Sequence, residues 1–447
     1  MSKPKNIVRI ATGTLAFAIS AAVSATDLID IYQLARASDP QLAAADARRL
    51  AAEKGVDISR ATLLPQINGT YDFTRTDVDA SIFNPGGQDE PFASLSRDRS
   101  VTFQGTQSIY RRSHYLDLKA ARAQKARGIS DYDAAVDNLL FRVADAYFGV
   151  LTAQTNLASS EAEEKAVGRQ LEQAEQRFEV GLSAITDVHE ARARFDSARA
   201  AVIQSRNALD DAYEALSELT GKRIETIDPL RTDIELSPPQ PDDAEQWVTT
   251  AIANSPALAA KEDERKAADY ATKSAWSEHL PYLDFSARYS DRTNLGDVAA
   301  FSLRDPQVFT MQVLLTVPLF TGGATQARYR QAVFNRDAAD DALEQTRRAT
   351  VRQTRNAYRA VIAGISEVEA RTQALVSAAS ALEATEAGFE VGTRTIVDVL
   401  LSQQQKYAAE REYARARHAY ILANLQLKQV AGTIDVGDIE RVDRMLE

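Results

Sequence analysis

The sequence contains no cysteine. That excludes a disulfide framework, a thiolate metal site and a catalytic thiol, and it leaves no cysteine to carry an N-terminal lipid. Histidine is nearly as scarce. His114, His189, His279 and His418 lie far apart, and none forms a His-x-x-x-His or Glu-x-x-His pair. A metal centre needs converging ligands, so none is expected. No glycine-rich phosphate loop follows a strand; Gly322-Gly323 marks a strand-to-helix corner instead. The sequence therefore offers no catalytic residues and no cofactor site. Positive charge is also short: 52 Lys and Arg face 63 Asp and Glu, a net charge of −11. Nucleic acid requires a basic face and is not an expected partner.

Long hydrophobic runs are missing too. The longest candidate, Ile10 to Ala22, falls short of the roughly 20 residues that span a bilayer. It follows Lys3, Lys5 and Arg9 and precedes Val23-Ser24-Ala25, the pattern of a cleaved export signal over residues 1–25. Its removal near Thr26 takes three basic residues and no acidic one, leaving a net charge of −14. Any later membrane crossing must use strands, because strands closed into a barrel are the other way to satisfy backbone groups in lipid.

What is present is a duplication. Phe178-Glu179-Val180-Gly181 returns as Phe389-Glu390-Val391-Gly392, an offset of 211 that also maps Ala146-Tyr147, Ile185, Asp187, Val188, Arg206, Leu216 and Gly221 onto identical residues. Pro40 and Pro65 return as Pro256 and Pro281 at an offset of 216. The difference between the offsets is what a variable loop would give. Two halves, 26–227 and 244–432, are expected to share one plan, joined by a proline-rich, acidic linker over 228–243 and followed by a tail over 433–447.

Proline punctuates that plan, since none occurs between Tyr110 and Asp228 or after Pro318. The first half is expected to run as a helix from Pro40 to Thr62, stopped by Pro65. Strands from Gln66 to Thr76 and from Ser100 to Ile109 follow, with a loop over Val78–Arg97 between them. Next comes a helix of about 70 residues to Gly181, ~105 Å long at 1.5 Å per residue. A tight turn then leads into a helix from Ser183 to Thr220, closed by Gly221. The second half repeats this, with a loop between Asn294 and Pro306 and a long helix from Gly322 to Val391. The mean globular helix has only about 11–12 residues. Helices this long need neighbours throughout, and apolar residues recurring at three and four, as in Leu140, Ala144, Tyr147 and Leu151, give coiled-coil spacing. The shorter helices before and after the strands total about 61 residues per half, ~90 Å by the same rise. Stacked end to end they nearly match one long helix.

The strands alternate. Ile67, Gly69, Tyr71 and Phe73 share one face, as do Val101, Phe103 and Gly105; Leu283, Phe285, Ala287 and Tyr289; and Phe309, Met311, Val313, Leu315 and Val317. The pattern fits an outer-membrane strand and a half-buried soluble sheet equally. Hairpin loops longer than usual, including Asn84-Pro85-Gly86-Gly87, favour the membrane. Four strands cannot close a barrel, so the chain must oligomerise. Two copies give eight strands and three give twelve. A polar interior favours the wider ring.

These residues resemble the TolC family of outer-membrane channel proteins. The resemblance runs from about Asp27 to Gly432. It is densest at Gln176-Arg177-Phe178-Glu179-Val180-Gly181-Leu182 with Ala184-Ile185-Thr186-Asp187-Val188, and at Glu386-Ala387-Gly388-Phe389 with Val391 through Leu400. Leu64-Pro65-Gln66, Gln107-Ser108-Ile109-Tyr110 and His279-Leu280-Pro281 add to it. It implies a mainly α chain with a membrane β part: a homotrimer whose 12-stranded β-barrel continues into an α-helical coiled-coil barrel. The location implied is the outer membrane of a Gram-negative bacterium, among its lipid, reaching into the periplasm. The partners implied are a periplasmic adaptor and an inner-membrane pump or ABC exporter, for efflux or type I secretion.

The resemblance also implies a gate at the periplasmic tip. Asp398 matches an aspartate that lines the constriction, where three copies would form an acidic ring. Arg394, Thr186 and Asp187 match positions linking neighbouring coils. Two departures weaken that gate. Leu401 stands where a second aspartate is often found, and Phe389 lacks the hydroxyl of the expected tyrosine, a bond worth ~1 kcal/mol. Thr395-Ile396-Val397-Asp398 also reads simply as a capping box at a helix start. Gly181, Leu182, Gly392 and Thr393 form the hairpin tips, farthest from the barrel, where the adaptor is expected to dock. The competing function is a trimeric coiled-coil adhesin or periplasmic spacer without a conduit.

Overall fold

The computed structural model describes residues 27–83, 86–87, 89–231, 233–294 and 306–447. The leader expected over 1–25 and most of the loop expected between Asn294 and Pro306 lie outside them. In chain order the elements are α1 (Leu28–Ser38), α2 (Pro40–Ala61), β1 (Gln66–Phe83), β2 (Asp89–Tyr110), α3 (Arg112–Glu179), α4 (Ile185–Thr220), α5 (Ala244–Asn254), α6 (Pro256–Ser277), β3 (Tyr282–Asn294), β4 (Gln307–Thr316), α7 (Ala324–Glu390), α8 (Ile396–Ala431) and α9 (Val436–Asp443).

The long helices hold 68 and 67 residues, about 100 Å each. Each forms a hairpin with a 36-residue helix, α3 with α4 and α7 with α8. The shorter helices stack as the lengths predict. α4 ends at Gly221 (φ 65°) against α1 and α2, where the Ser38 hydroxyl donates to the Thr220 carbonyl at 2.7 Å. α8 ends at Gly432 (φ 66°) against the α5–α6 junction, so close that a Cβ there would meet the Asn254 carbonyl oxygen at 2.5 Å. Glycine is required at Gly432 for both reasons, since positive φ is strained for other residues. Asp39 starts α2 by accepting the Leu42 N–H at 2.9 Å, and Pro40 and Pro256 open α2 and α6, where a missing N–H costs nothing.

The strands form one antiparallel sheet in the order β1-β2-β3-β4. Its apolar face is uncovered: Ile67 is 77% and Met311 65% exposed. Among the described residues no layer packs there, so the sheet is not the half-buried face of a soluble core. The lipid-facing alternative is the one that accounts for it. The first hairpin corrects the sequence reading. The stretch Val78–Arg97, expected to be a loop, is largely strand, with Val78 paired to Ser94 and the ladder running on to Phe83 opposite Asp89. Val78, Ala80 and Ile82 alternate with Asp77, Asp79 and Ser81, but out of phase with Ile67, Tyr71 and Phe73, and Ser96-Arg97-Asp98 is polar throughout, so the period-two signal breaks at the rim. The backbone ladder does not need that signal, because the inward-facing N–H and C=O groups of the two strands still pair across the hairpin.

α1, α5 and α9 were also not anticipated. They pack with the linker around the middle of the long helices. The core there contains Leu28, Ile31, Leu139, Val143, Tyr147, Leu216 and Ile439, all fully buried. Tyr147 donates to the Asp228 carbonyl at 2.8 Å, Trp247 to that of Pro241 at 2.7 Å, and the Asp443 carboxylate accepts the Leu28 N–H at 2.9 Å. The tail is thereby tied to the start of the chain and, through an isolated bridge between Leu230 and Leu446, to the linker.

Within this core His418 lies between α8 and α3. Its Nδ1 is 2.8 Å from the Thr152 hydroxyl and its ring 5.5 Å from that of Phe148. Burial pushes its pKa down from 6.5 to about 4, so it is neutral at physiological pH. A depressed pKa means that the unfolded chain takes up the proton first, so stability is full above pH 6.5 and falls as the pH drops towards 4. The loss approaches ~3 kcal/mol per chain at the low end. Thermal unfolding followed across that window should show the loss, and His418→Gln should flatten it.

Candidate functional site: the hairpin tips

Both helical reversals use the same backbone device. At the first, Gly181 (φ 76°) donates to the Phe178 carbonyl at 2.9 Å and Leu182 to that of Arg177 at 2.8 Å. At the second, Gly392 (φ 79°) donates to Phe389 at 3.1 Å and Thr393 to Gly388 at 2.9 Å. These paired bonds form a Schellman motif, which satisfies the last carbonyls of a helix and needs a residue tolerant of positive φ. Gly181, Leu182, Gly392 and Thr393 are all exposed at these turns.

The restarts differ. α8 opens on a complete capping box: the Thr395 N–H and hydroxyl both donate to Asp398 Oδ2 at 3.0 Å, and the Asp398 N–H returns a bond to the Thr395 hydroxyl at 3.3 Å. These donors, the backbone N–H first, hold the Asp398 carboxyl below its ordinary 3.8. α4 opens at Ala184, which has no side chain to cap it. The cap expected at Thr395 and Asp398 is therefore present, and it occupies one oxygen of the carboxylate.

Beneath the turns the two hairpins share a small apolar cluster. Ala174 of α3, Val188 and Ala191 of α4, and Ile396 and Leu400 of α8 are buried together, with Phe195 and Phe389 against them. Phe389 lacks a hydroxyl but has a partner: the Arg177 guanidinium lies 4.8 Å from its ring centroid, bridging the ends of α3 and α7. Such a contact is worth ~0.5–1 kcal/mol at an exposed site. Arg394 folds back over α7, and a Cβ on Gly388 would sit 2.8 Å from its Cγ. Thr186 is exposed and Asp187 half-buried in the first turn of α4. Among the described residues, Arg394 makes no hydrogen bond or ion pair with Thr186 or Asp187. The structure thus brings Phe389 into the contact between the hairpins, and leaves Arg394 at one reversal and Thr186 and Asp187 at the other. Arg177 and Gly388 were missed as functional residues. They occupy the same position in the two repeats, and the change from arginine to glycine between otherwise matching segments was the available signal.

The outer membrane efflux protein family matches residues 31–222 and 247–433. The chain is 40% identical to the outer membrane protein TolC of Vibrio cholerae over 443 residues, covering 98% of this chain and 97% of that one. The chain belongs to the outer membrane efflux protein family. It is also 28% identical to the alkaline protease secretion protein AprF of Pseudomonas aeruginosa, over 94% of this chain and 87% of that one. The solved CmeC outer membrane channel of Campylobacter jejuni, 17% identical, superposes with a TM-score of 0.76 over 100% of this chain and 98% of that one. As an outer membrane efflux protein the chain is a channel component, and these relatives are channel proteins rather than enzymes.

The caps predict unequal tips. At neutral pH, amides in the first turn of α8 should exchange with solvent more slowly than those of α4. Thr395→Ala should remove about 1 kcal/mol of that protection, roughly a fivefold faster local exchange. Because the folded pKa of Asp398 is depressed, its contribution is present above pH 3.8 and fades only as the pH falls below that value. Hydrogen exchange read by mass spectrometry at pH 7 and after acid exposure distinguishes these outcomes.

Proposed function

We propose that three copies of this chain close into a trans-periplasmic exit duct, gated at the hairpin tips, that serves an efflux pump, a type I secretion system or both. The observation that carries this reading is the uncovered apolar sheet with its two free edges. β1 and β4 each have a neighbour on one side only. Backbone groups on an open edge have no partner in lipid, so β4 of one copy must pair with β1 of the next. Three copies give twelve strands, wide enough for a channel, whereas eight would be filled by side chains. The hairpins then hang about 100 Å into the periplasm, after removal of the leader over 1–25.

The partners follow from position. The tips at Gly181, Leu182, Gly392 and Thr393 are the surface offered to a periplasmic adaptor, which joins the duct to an inner-membrane pump or ABC exporter. Asp398 forms an acidic ring in the closed trimer while keeping its role as a cap, because the two need different oxygens. Arg394, Thr186 and Asp187 link neighbouring coils across subunits. Phe389 takes part through Arg177, so the closed state rests on a cation–π contact in place of a tyrosine hydrogen bond, and Leu401 leaves only one acidic ring.

Conductance of the purified protein in planar bilayers tests the gate. Arg177→Ala should raise the resting conductance, as the bridge between hairpins is lost. Asp398→Asn should weaken block by multivalent cations and leave the oligomer intact; unchanged block would remove Asp398 from the gate. In the host, deletion of the gene with drug sensitivity and secreted proteins measured side by side separates efflux from secretion.

A further inference from the structure

The duplication supplies a template for a surface the single chain leaves open. Side by side, the helices run from the α2–α4 stack through α3 and the α6–α8 stack to α7. Apart from α5 against α7 and α1 against α4 at the waist, the outward sides of α4 and α7 have no neighbouring element among the described residues. If the ring of the preceding section exists, on which this inference rests, α7 meets the α2–α4 stack of the next copy as α3 meets the α6–α8 stack within one chain.

The internal contact is known in detail. Phe148 packs on His418, whose Nδ1 is 2.8 Å from the Thr152 hydroxyl. Phe141, Phe148, Ile421, Leu422 and Leu425 belong to one apolar cluster. The offset of 211 carries Phe141 and Phe148 to Arg352 and Arg359, and it brings Asp210, Asp211 and Glu214 onto Ile421, Leu422 and Leu425. These five apolar residues of the internal seam thus have charged counterparts on the open faces, basic on α7 and acidic on α4, while Leu140, Leu151 and Tyr420 keep apolar ones in Val351, Ile362 and Leu209. All five of these charged residues are exposed. Among the described residues none has an ion-pair partner; Arg359 reaches only Asn356, and Asp211 only Asn207.

We propose that this open seam is the subunit interface, with Arg352 and Arg359 of one copy seated on Asp210, Asp211 and Glu214 of the next. Opposite charges on unlike faces enforce head-to-tail closure, because α7 against α7 or α4 against α4 would set like charges together. An apolar pair of faces could not make that distinction.

The cysteine-free chain makes the test direct. Ala363 and Asn207 are the counterparts of Thr152 and His418. The full-length variant with Ala363→Cys and Asn207→Cys, oxidised in detergent, should give bands of two and three linked chains on a denaturing gel, and neither single variant should. Adding Arg352→Glu and Arg359→Glu should lower that yield several-fold, and further adding Asp211→Arg and Glu214→Arg should restore it. A trimer by native mass spectrometry without cross-links from the double-cysteine variant overturns the proposed faces and leaves the trimer standing. Linked pairs from Ala363→Cys alone also overturn them, since like faces would then meet. A cross-link yield indifferent to charge reversal overturns the ionic key. A single-chain mass with no cross-link brings down the ring itself, and this interface with it.

Discussion

Lipid offers no hydrogen-bond partner to a peptide group, and the rest of this architecture follows from that constraint. Four strands satisfy their inner ladders and leave two edges unmet. The apolar face of the sheet needs hydrocarbon around it, and the edges need other copies of the same chain. Everything below the sheet must then repeat around an axis. A chain that contributes two strand pairs must also contribute two helical units of matched length. The duplication meets that requirement, and so does the end-to-end stacking of α2 with α4 and α6 with α8, which keeps each hairpin two helices wide along its length.

Much of this was legible in the residues because the signals were long or punctuated. Seventy-residue stretches without proline, bounded by Gly181 and Gly392, leave little choice but helix. Pro40, Pro65, Pro256 and Pro281 mark where helices begin and strands take over. What escaped detection was short or lacked a period. Val78–Arg97 hid because Val78, Ala80 and Ile82 alternate out of phase with Ile67, Tyr71 and Phe73, so no single apolar face runs the length of the strand. α1, α5 and α9 hid because helices of 11, 11 and 8 residues carry too few apolar positions to stand out beside the long ones. They are helical because of what they pack on, the buried waist around Leu139, Val143 and Tyr147, and tertiary packing rather than propensity stabilises most helices of that length.

The tip shows a different limit. Sequence pattern located both reversals and the Thr395–Asp398 box, but it assigned Phe389 by what it lacks. In the structure the ring is held by Arg177 and rests on the cluster around Val188 and Ile396. A missing hydroxyl is visible in a sequence, whereas a replacement contact from another helix is not. The position was still marked, because Arg177 and Gly388 break the repeat where its two copies touch.

That observation generalises. After duplication, positions doing the same job in both halves stay alike, as Gly181 and Gly392 do in making the same turn. Positions diverge where the halves face different neighbours. Phe148 looks into the waist of its own chain and is 1% exposed, while its counterpart Arg359 looks outward. Ala184 leaves α4 uncapped where Thr395 caps α8. A ring with pseudo-sixfold walls would be built equally well by identical repeats, but identical repeats could not tell an internal seam from an external one. Divergence at Arg352, Arg359, Asp210, Asp211 and Glu214 puts charge on the open faces where the internal seam around Phe148 is apolar, and the proposed interface uses that difference.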